Sequence, residues 1–383
     1  MIRIHFRPCN LPCLFALLIF GVSPGLANAN DEALKLSEIG NAQFELKNYK
    51  DALKYYENAL KKDTAATSKS GFSITRDYKK LGNVWLALEN YNKAADNYEK
   101  ALSGAIRVYG SDSPVVKTIR KNIAGAWQSL GEYKSSVVYL EDLLDEDLKK
   151  YGRNHPEVAE DWNALGYAWE KMKNYTKATE YYEKALSSNQ KTYGDEHPET
   201  ARRWGSLGSV WELAGNHIRA IEYFEKALKV NEKTFGDKHP RVAKNWQQLG
   251  VSWYELGHYS KSISFFEKAN KSNAFNFGLE YPAVAEGWRY IGLADYRLKD
   301  YVVAQESVEK ALKSDLENFG PNHPTTARDW EVLGMIYEAQ DKVKQALDSY
   351  NKAYAVYQIE YGKKNTQTLN VAERIDFLSS RYR

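Results

Sequence analysis

A large residue followed by glycine recurs at one fixed interval along this chain. Ile39-Gly40, Leu81-Gly82, Leu165-Gly166, Leu207-Gly208, Leu249-Gly250, Ile291-Gly292 and Leu333-Gly334 share a 42-residue register. Ile123-Ala124 fills the remaining position, giving eight consecutive copies without insertion or deletion. A period of roughly 20–50 residues marks stacked supersecondary units, one to a period. Single-domain enzyme folds do not repeat in this way. The sequence therefore predicts a solenoid whose copies touch only their neighbours, and function has to reside on the surface such a stack presents.

The first 29 residues are of another kind. Arg3 and Arg7 precede an apolar run over residues 11–22, and Ala27-Asn28-Ala29 closes the segment with small residues. A basic start, a short apolar middle and an A-x-A end predict a secretory signal peptide cleaved after Ala29. The apolar run is shorter than the ~20 residues that cross a bilayer as a helix. The expected product is exported, periplasmic or secreted, with no transmembrane segment. Cys9 and Cys13 both fall in the leader, so disulfides and thiolate metal sites are not expected after it is removed. The chain has 53 Lys and Arg against 50 Asp and Glu, and two of the arginines leave with the leader. Near-neutrality gives no global field to favour nucleic acid or an anionic membrane.

The copy from His155 to Gly194 shows the unit. Proline at a first helical position has a preset φ and no N–H to waste, so His155-Pro156 opens a helix. Trp162, Leu165 and Trp169 then fall at helical spacing, and Gly166 on their face lets a second helix approach closely. Lys173-Asn174 makes the turn. A second helix from Tyr175 to about Thr192 carries Ala178, Tyr182, Ala185 and Leu186 inward, and Tyr193-Gly194 closes it as a glycine C-cap. Residues 30–362 contain eight such units. Copy seven has Asp295 where other copies have tryptophan, and altered local packing is expected there. Residues 363–383 predict an amphipathic capping helix, which end repeats need to stay soluble.

The pattern W-x-x-L-G-x-x-W followed by Tyr, Ala, Tyr or Phe and Ala resembles the tetratricopeptide repeat. With the long period, the Y-G close and the H-P opening, it is most similar to the repeats of kinesin light chains and their bacterial relatives. The resemblance implies an all-α, right-handed superhelical solenoid of eight helix-turn-helix repeats plus the capping helix. It also implies a protein- or peptide-binding scaffold whose first helices line a concave groove.

No catalytic motif stands out: G-x-S-x-G, a phosphate-cradling glycine loop and H-E-x-x-H are all missing from the sequence. No enzyme activity, cofactor or metal is expected. Trp162, Trp204, Trp246, Trp288 and Trp330 share one slot and Trp85, Trp127, Trp169, Trp211 and Trp253 a second, both on the glycine face. They are expected to be core. His155, His197, His239 and His323 are one repeat apart, too distant to share one ion, and read as helix-opening residues.

The positions that packing does not dictate are the candidates for partner binding. They are Arg76, Lys79, Asn83, Lys121, Asn163, Tyr167, Arg202, Lys244, Gln247, Val251, Tyr254, Arg289, Leu293 and Tyr296. In this reading the groove is basic toward its N-terminal end and apolar-aromatic toward its C-terminal end. Tyr254 and Tyr296 would be anchors lying off the core. The expected partner is a protein or an extended peptide. The alternative is self-association of the same stripe into a homo-oligomer.

Overall fold

The computed structural model describes residues 29–65 and 71–381, so the predicted leader up to residue 28 lies outside the described residues. The described secondary structure is entirely helical. The elements are α1 (Ala29–Glu45), α2 (Tyr49–Ala65), α3 (Gly71–Ala87), α4 (Tyr91–Tyr109) and α5 (Pro114–Leu130). There follow α6 (Tyr133–Tyr151), α7 (Pro156–Lys171), α8 (Tyr175–Tyr193), α9 (Pro198–Leu213), α10 (His217–Phe235) and α11 (Pro240–Glu255). The last are α12 (Tyr259–Phe277), α13 (Pro282–Arg297), α14 (Tyr301–Phe319), α15 (Pro324–Ala339), α16 (Val343–Glu360) and α17 (Thr366–Arg381). The described residues divide into two compact units, one up to residue 126 and one from residue 127, with the boundary inside α5. In the first unit α1 to α4 pack each on the next, and in the second α6 to α17 do the same.

Local chemistry explains the punctuation. At the start of α7 the His155 Nδ1 accepts from the Glu157 N–H at 3.2 Å, and its ring stacks on Tyr151 with centroids 4.2 Å apart. His197, His239 and His323 cap α9, α11 and α15 in the same way, stacked on Tyr193, Phe235 and Phe319. The histidines are therefore N-caps, satisfying one of the orphan donors of each helix. At the closing end Gly194 has φ 82° and ψ 174°, a region open to glycine alone, while its N–H bonds the Gln190 carbonyl.

Packing within a pair centres on the periodic glycine. A Cβ on Gly166 would lie 2.6 Å from the Tyr182 ring, so α7 and α8 approach as closely as they do only because that side chain is missing. Trp162, Trp204 and Trp246 are buried. The second-slot rings are half-buried, and four are roofed by a cation: Lys93 lies 4.1 Å from the Trp85 ring centre, Lys177 3.9 Å from Trp169, Arg219 4.5 Å from Trp211 and Lys261 3.9 Å from Trp253, whereas Trp127 has Ser135 at that position. Such contacts contribute about 0.5–1 kcal/mol each where solvent reaches them. Copy seven loses both partners, with Asp295 for the ring and Val303 for the cation. Burial pushes the Asp295 carboxyl up to about 6, and Asp300 and Glu267 push it the same way.

The last helix continues the register. Asn365 takes the histidine position, its Oδ1 accepting from the Gln367 N–H at 2.9 Å. Thr368 donates to the Tyr357 carbonyl as Thr326 does to that of Asp315. The α17 helix is thus a ninth first helix, without a second helix after it among the described residues. Arg374 bonds Glu338 with two nitrogens and fixes α17 to α15.

Candidate functional site

Three successive first helices of the second unit, α7, α9 and α11, enclose a cavity of about 380 Å³ open to solvent. Tyr167, Arg202, Ser206, Ser209, Lys244 and Gln248 line it. These side chains share the face opposite the packed tryptophans, and one repeat of spacing brings each next to its counterpart. Gly205 forms part of the wall, and a Cβ there would meet nothing within 4 Å, so the missing side chain enlarges the hollow.

The floor is a polar chain. Asn231 on α10 donates to Asn245 Oδ1 at 2.7 Å, Asn245 to Gln248 Oε1 at 3.3 Å, and Gln248 to Ser209 Oγ at 3.1 Å. Asn231 Oδ1 is buried without a partner. Buried amides are costly unless bonded, so a row of them beneath an open cavity leaves acceptors and donors for a polar ligand. On one side Arg202 bonds Glu199 at 2.9 Å and also Glu160, and Ser206 donates to Asn163 Oδ1 at 3.2 Å. Arg203, fully buried behind them, shares Glu160. On the other side Lys244 and Arg241 are exposed and belong to no ion pair among the described residues. Deeper in, the Tyr182 hydroxyl donates to Glu170 at 2.9 Å, and burial together with that carboxylate raises the phenol far above its usual range.

The structure brings Tyr167, Arg202 and Lys244 together at this cavity, with Asn163 joined through Ser206. Other expected residues have different employment. Gln247 donates to the Ala283 carbonyl at 3.0 Å and ties α11 to α13. Arg289 is a correction: it is buried, bonding Asp315 at 2.5 Å and also Asp329, because two internal carboxylates require a cation. Tyr254 and Tyr296 are corrected too, being half-buried instead of free anchors. Tyr254 meets Tyr259 and Tyr290 edge-on at 5.5 and 5.8 Å, while Tyr296 and Leu293 pack against the Ala304–Val308–Leu333 cluster. Val251 is half-buried on α11.

Arg76, Lys79, Asn83 and Lys121 lie in the first unit. There Arg76 pairs with Asp77 at 3.0 Å and Asp63 at 3.4 Å, and Asn83 accepts from the Tyr98 hydroxyl at 2.8 Å. Lys79 is half-buried and Lys121 exposed.

Sequence reasoning missed Asn245, Gln248, Ser206 and Arg241. The signal that could have found them is Asn231 and Asn245, two amides in slots that the repeat buries.

Among the described residues no cluster of three or more His, Cys, Asp or Glu is placed to hold a metal ion, and no helix is long and apolar enough to cross a membrane.

A stack of capped helix pairs joined by a lined face is a helical-repeat protein. Models of the tetratricopeptide repeat match residues 157–230, 204–269 and 283–359, and a second model of the same description matches 78–115, together more than half of the chain. The chain belongs to the tetratricopeptide-repeat family. No curated protein matches it. Among solved structures it is similar to the apo quorum sensor NprR of B. thuringiensis, with TM-score 0.62, 10% identity and 86% of this chain against 89% of that one. It is similar also to BtubC (BKLC) of P. vanneervenii, with TM-score 0.53, 17% identity and 61% against 94%. The nearly identical TPR-like repeats of a Podosopora anserina protein assigned as a kinesin light chain match at TM-score 0.47 and 19% identity, over 53% and 96%. At these identities the likeness is one of fold.

Proposed function

We propose that this chain is a non-enzymatic interaction scaffold, and that the cavity of α7, α9 and α11 holds an extended acidic peptide or partner segment. The observation that carries the reading is the combination of an amide-lined floor with the exposed, unpaired Lys244 and Arg241 at its rim. Amides pair with the alternating donors and acceptors of an extended backbone, and the cations select carboxylates. Kinship with tetratricopeptide-repeat proteins agrees with this use of the fold.

Selection from a random peptide library tests it. Sequences enriched on the native chain should be acidic, and should be lost on Lys244→Glu/Arg241→Glu. Enrichment without acidic bias, or unchanged by that double variant, would refute the assignment.

The basic, short-apolar, A-x-A leader supports an exported scaffold that begins at Asn30. N-terminal sequencing of the native protein decides this, and a cytosolic chain retaining Met1 would overturn it. Self-association has one observation in its favour. Phe275 and Leu279, at the α12–α13 junction, are 65% and 69% exposed beside Phe277 and Tyr281. A sedimentation series showing only monomer would remove that reading.

A further inference from the structure

A second hollow lies between residues of α6 and α8, with the buried Trp162 of α7 at its base. Its volume is about 310 Å³. Leu144, Leu148 and Trp162 form an apolar floor, and Arg153, Lys184 and Lys191 stand around the mouth. Ser188 also lines it, 2% exposed, with a hydroxyl that has no partner in the protein. The lining contains no carboxylate. Arg153 and Lys191 form no ion pair among the described residues, and Lys184 has only the exposed Glu180 at 2.6 Å. Pairs of that kind contribute little and exchange readily.

The next copy supplies an internal comparison. A hollow of about 440 Å³ occupies the same register between α8 and α10, over Trp204. There Leu186 and Gln190 replace Leu144 and Leu148, Val230 replaces Ser188, and Asp195 and Glu196 replace Arg153 and Asn154. This copy carries carboxylates of its own among its lysines: Lys233 pairs with Glu196 at 2.5 Å and Gln190 donates to Asp195 at 2.8 Å. Two hollows of one scaffold thus differ in charge. Only the first sets cations around an apolar base with no carboxylate in its lining.

From this contrast we infer that the α6–α8 hollow is a binding site for a carboxylate carried next to an apolar group. The apolar body lies over Leu144, Leu148 and Trp162, and the carboxylate faces Arg153, Lys191 and the Ser188 hydroxyl. A small aryl-alkyl acid has this chemistry, and so does the free C-terminal residue of a chain ending in Phe or Leu. Trp162 is buried, so little of its ring is free to stack on a sugar.

The test uses the full chain with ¹⁵N-labelled tryptophan, following the indole N–H signals of Trp162 and Trp204. The probes are 3-phenylpropionate, a short peptide ending in Phe with a free carboxylate, and the same peptide amidated. The expected result is a saturable shift at Trp162 but not at Trp204. Affinity should fall about tenfold or more in Arg153→Asp/Asn154→Glu, which recreates the neighbouring copy and removes a charge-assisted contact. Because both positions lie in an exposed loop, that variant should remain folded; circular dichroism checks it. The reverse exchange, Asp195→Arg/Glu196→Asn, should confer a response at Trp204. Binding of phenylpropionate alone assigns the site to a small acid, and binding of the acid peptide alone assigns it to a chain end. No saturable shift with either probe would overturn the inference. So would equal binding of the amidated peptide, or affinity unchanged in Arg153→Asp/Asn154→Glu.

Discussion

The ring of Tyr182 fills the space that a side chain on Gly166 would need, its Cδ1 lying 2.6 Å from where the Cβ would stand. The same geometry joins Gly208 to Phe224, at 2.4 Å to Cε1, and Gly250 to Phe266, at 2.8 Å. The interval that dominates the sequence therefore records one contact made over and over: a ring of the second helix seated on bare backbone of the first.

This contact predicts the cost of a methyl group. Gly208→Ala should destabilise copy five by about 1–3 kcal/mol, the usual penalty of overpacking. A smaller partner should relieve part of it, so Gly208→Ala/Phe224→Leu should lose less than the sum of the two single changes. The sequence holds that exchange already, since the copy with Ala124 has Leu140 sixteen residues later in place of a ring. Chemical denaturation of the four proteins measures the coupling. Strict additivity would mean that the ring does not rest on the glycine.

Arg289 leads to a second expectation. It stands between Asp315 and Asp329, both fully shielded from solvent, and burial outweighs its attraction enough to hold the Asp329 carboxyl above the usual range. Arg289→Met leaves two buried carboxyl groups without a cation and should cost about 3–5 kcal/mol. Adding Asp315→Asn and Asp329→Asn should recover much of that loss. Hydrogen exchange in α13 to α15 reads both effects, because each copy leans only on its neighbours.

The helix pairs were legible in the sequence because each is written eight times. A glycine, two ring slots, a proline opening and a glycine close all recur at one spacing, and the structure places each where the spacing requires. The capping role of His155 was only half legible. Its position was apparent, but the Nδ1 contact to Glu157 depends on ring orientation. The groove was harder, since a side chain off the packed face has two possible occupations. Lys244 reaches solvent, whereas Arg289, in an equally polar-looking place, turns inward because Asp315 and Asp329 sit across the interface. Such pairing joins residues 26 and 40 positions apart and leaves no local signal.

Glu212 gives a pH dependence with a defined sign. Burial pushes its carboxyl up to about 7; the Ser252 hydroxyl, donating at 3.1 Å, pulls the other way, and Glu255 adds to the rise. An acid whose folded pKa is raised binds its proton more tightly when folded. Its contribution is full below the ordinary value of 4.5 and is lost as pH climbs through about 7. Glu212→Gln still accepts from Ser252 and cannot ionise. Relative to the native chain it should gain about 3 kcal/mol between pH 4.5 and pH 8. Unfolding midpoints measured across that range check the trend, and a constant difference would show that Glu212 ionises freely.

The rim of the candidate groove carries the sharpest functional expectation. Tyr254 and Tyr296 are poor probes because their rings support neighbouring helices, and truncating them would confuse lost binding with lost packing. Lys244 and Arg241 are better placed, being exposed and outside every ion pair among the described residues. Reversing both to Glu should move the unfolding midpoint little, since Lys244 is solvated and Arg241 gives up only an exposed contact with the Phe235 ring 5.2 Å away, worth about 0.5–1 kcal/mol. Association with an acidic peptide should slow and its salt dependence should flatten, because rim charges act chiefly on encounter. Dissociation should change less. Stopped-flow kinetics at two ionic strengths separate these effects. A variant that folds normally and associates at the native rate would show that the peptide is held elsewhere, and would take the groove of α7, α9 and α11 out of consideration.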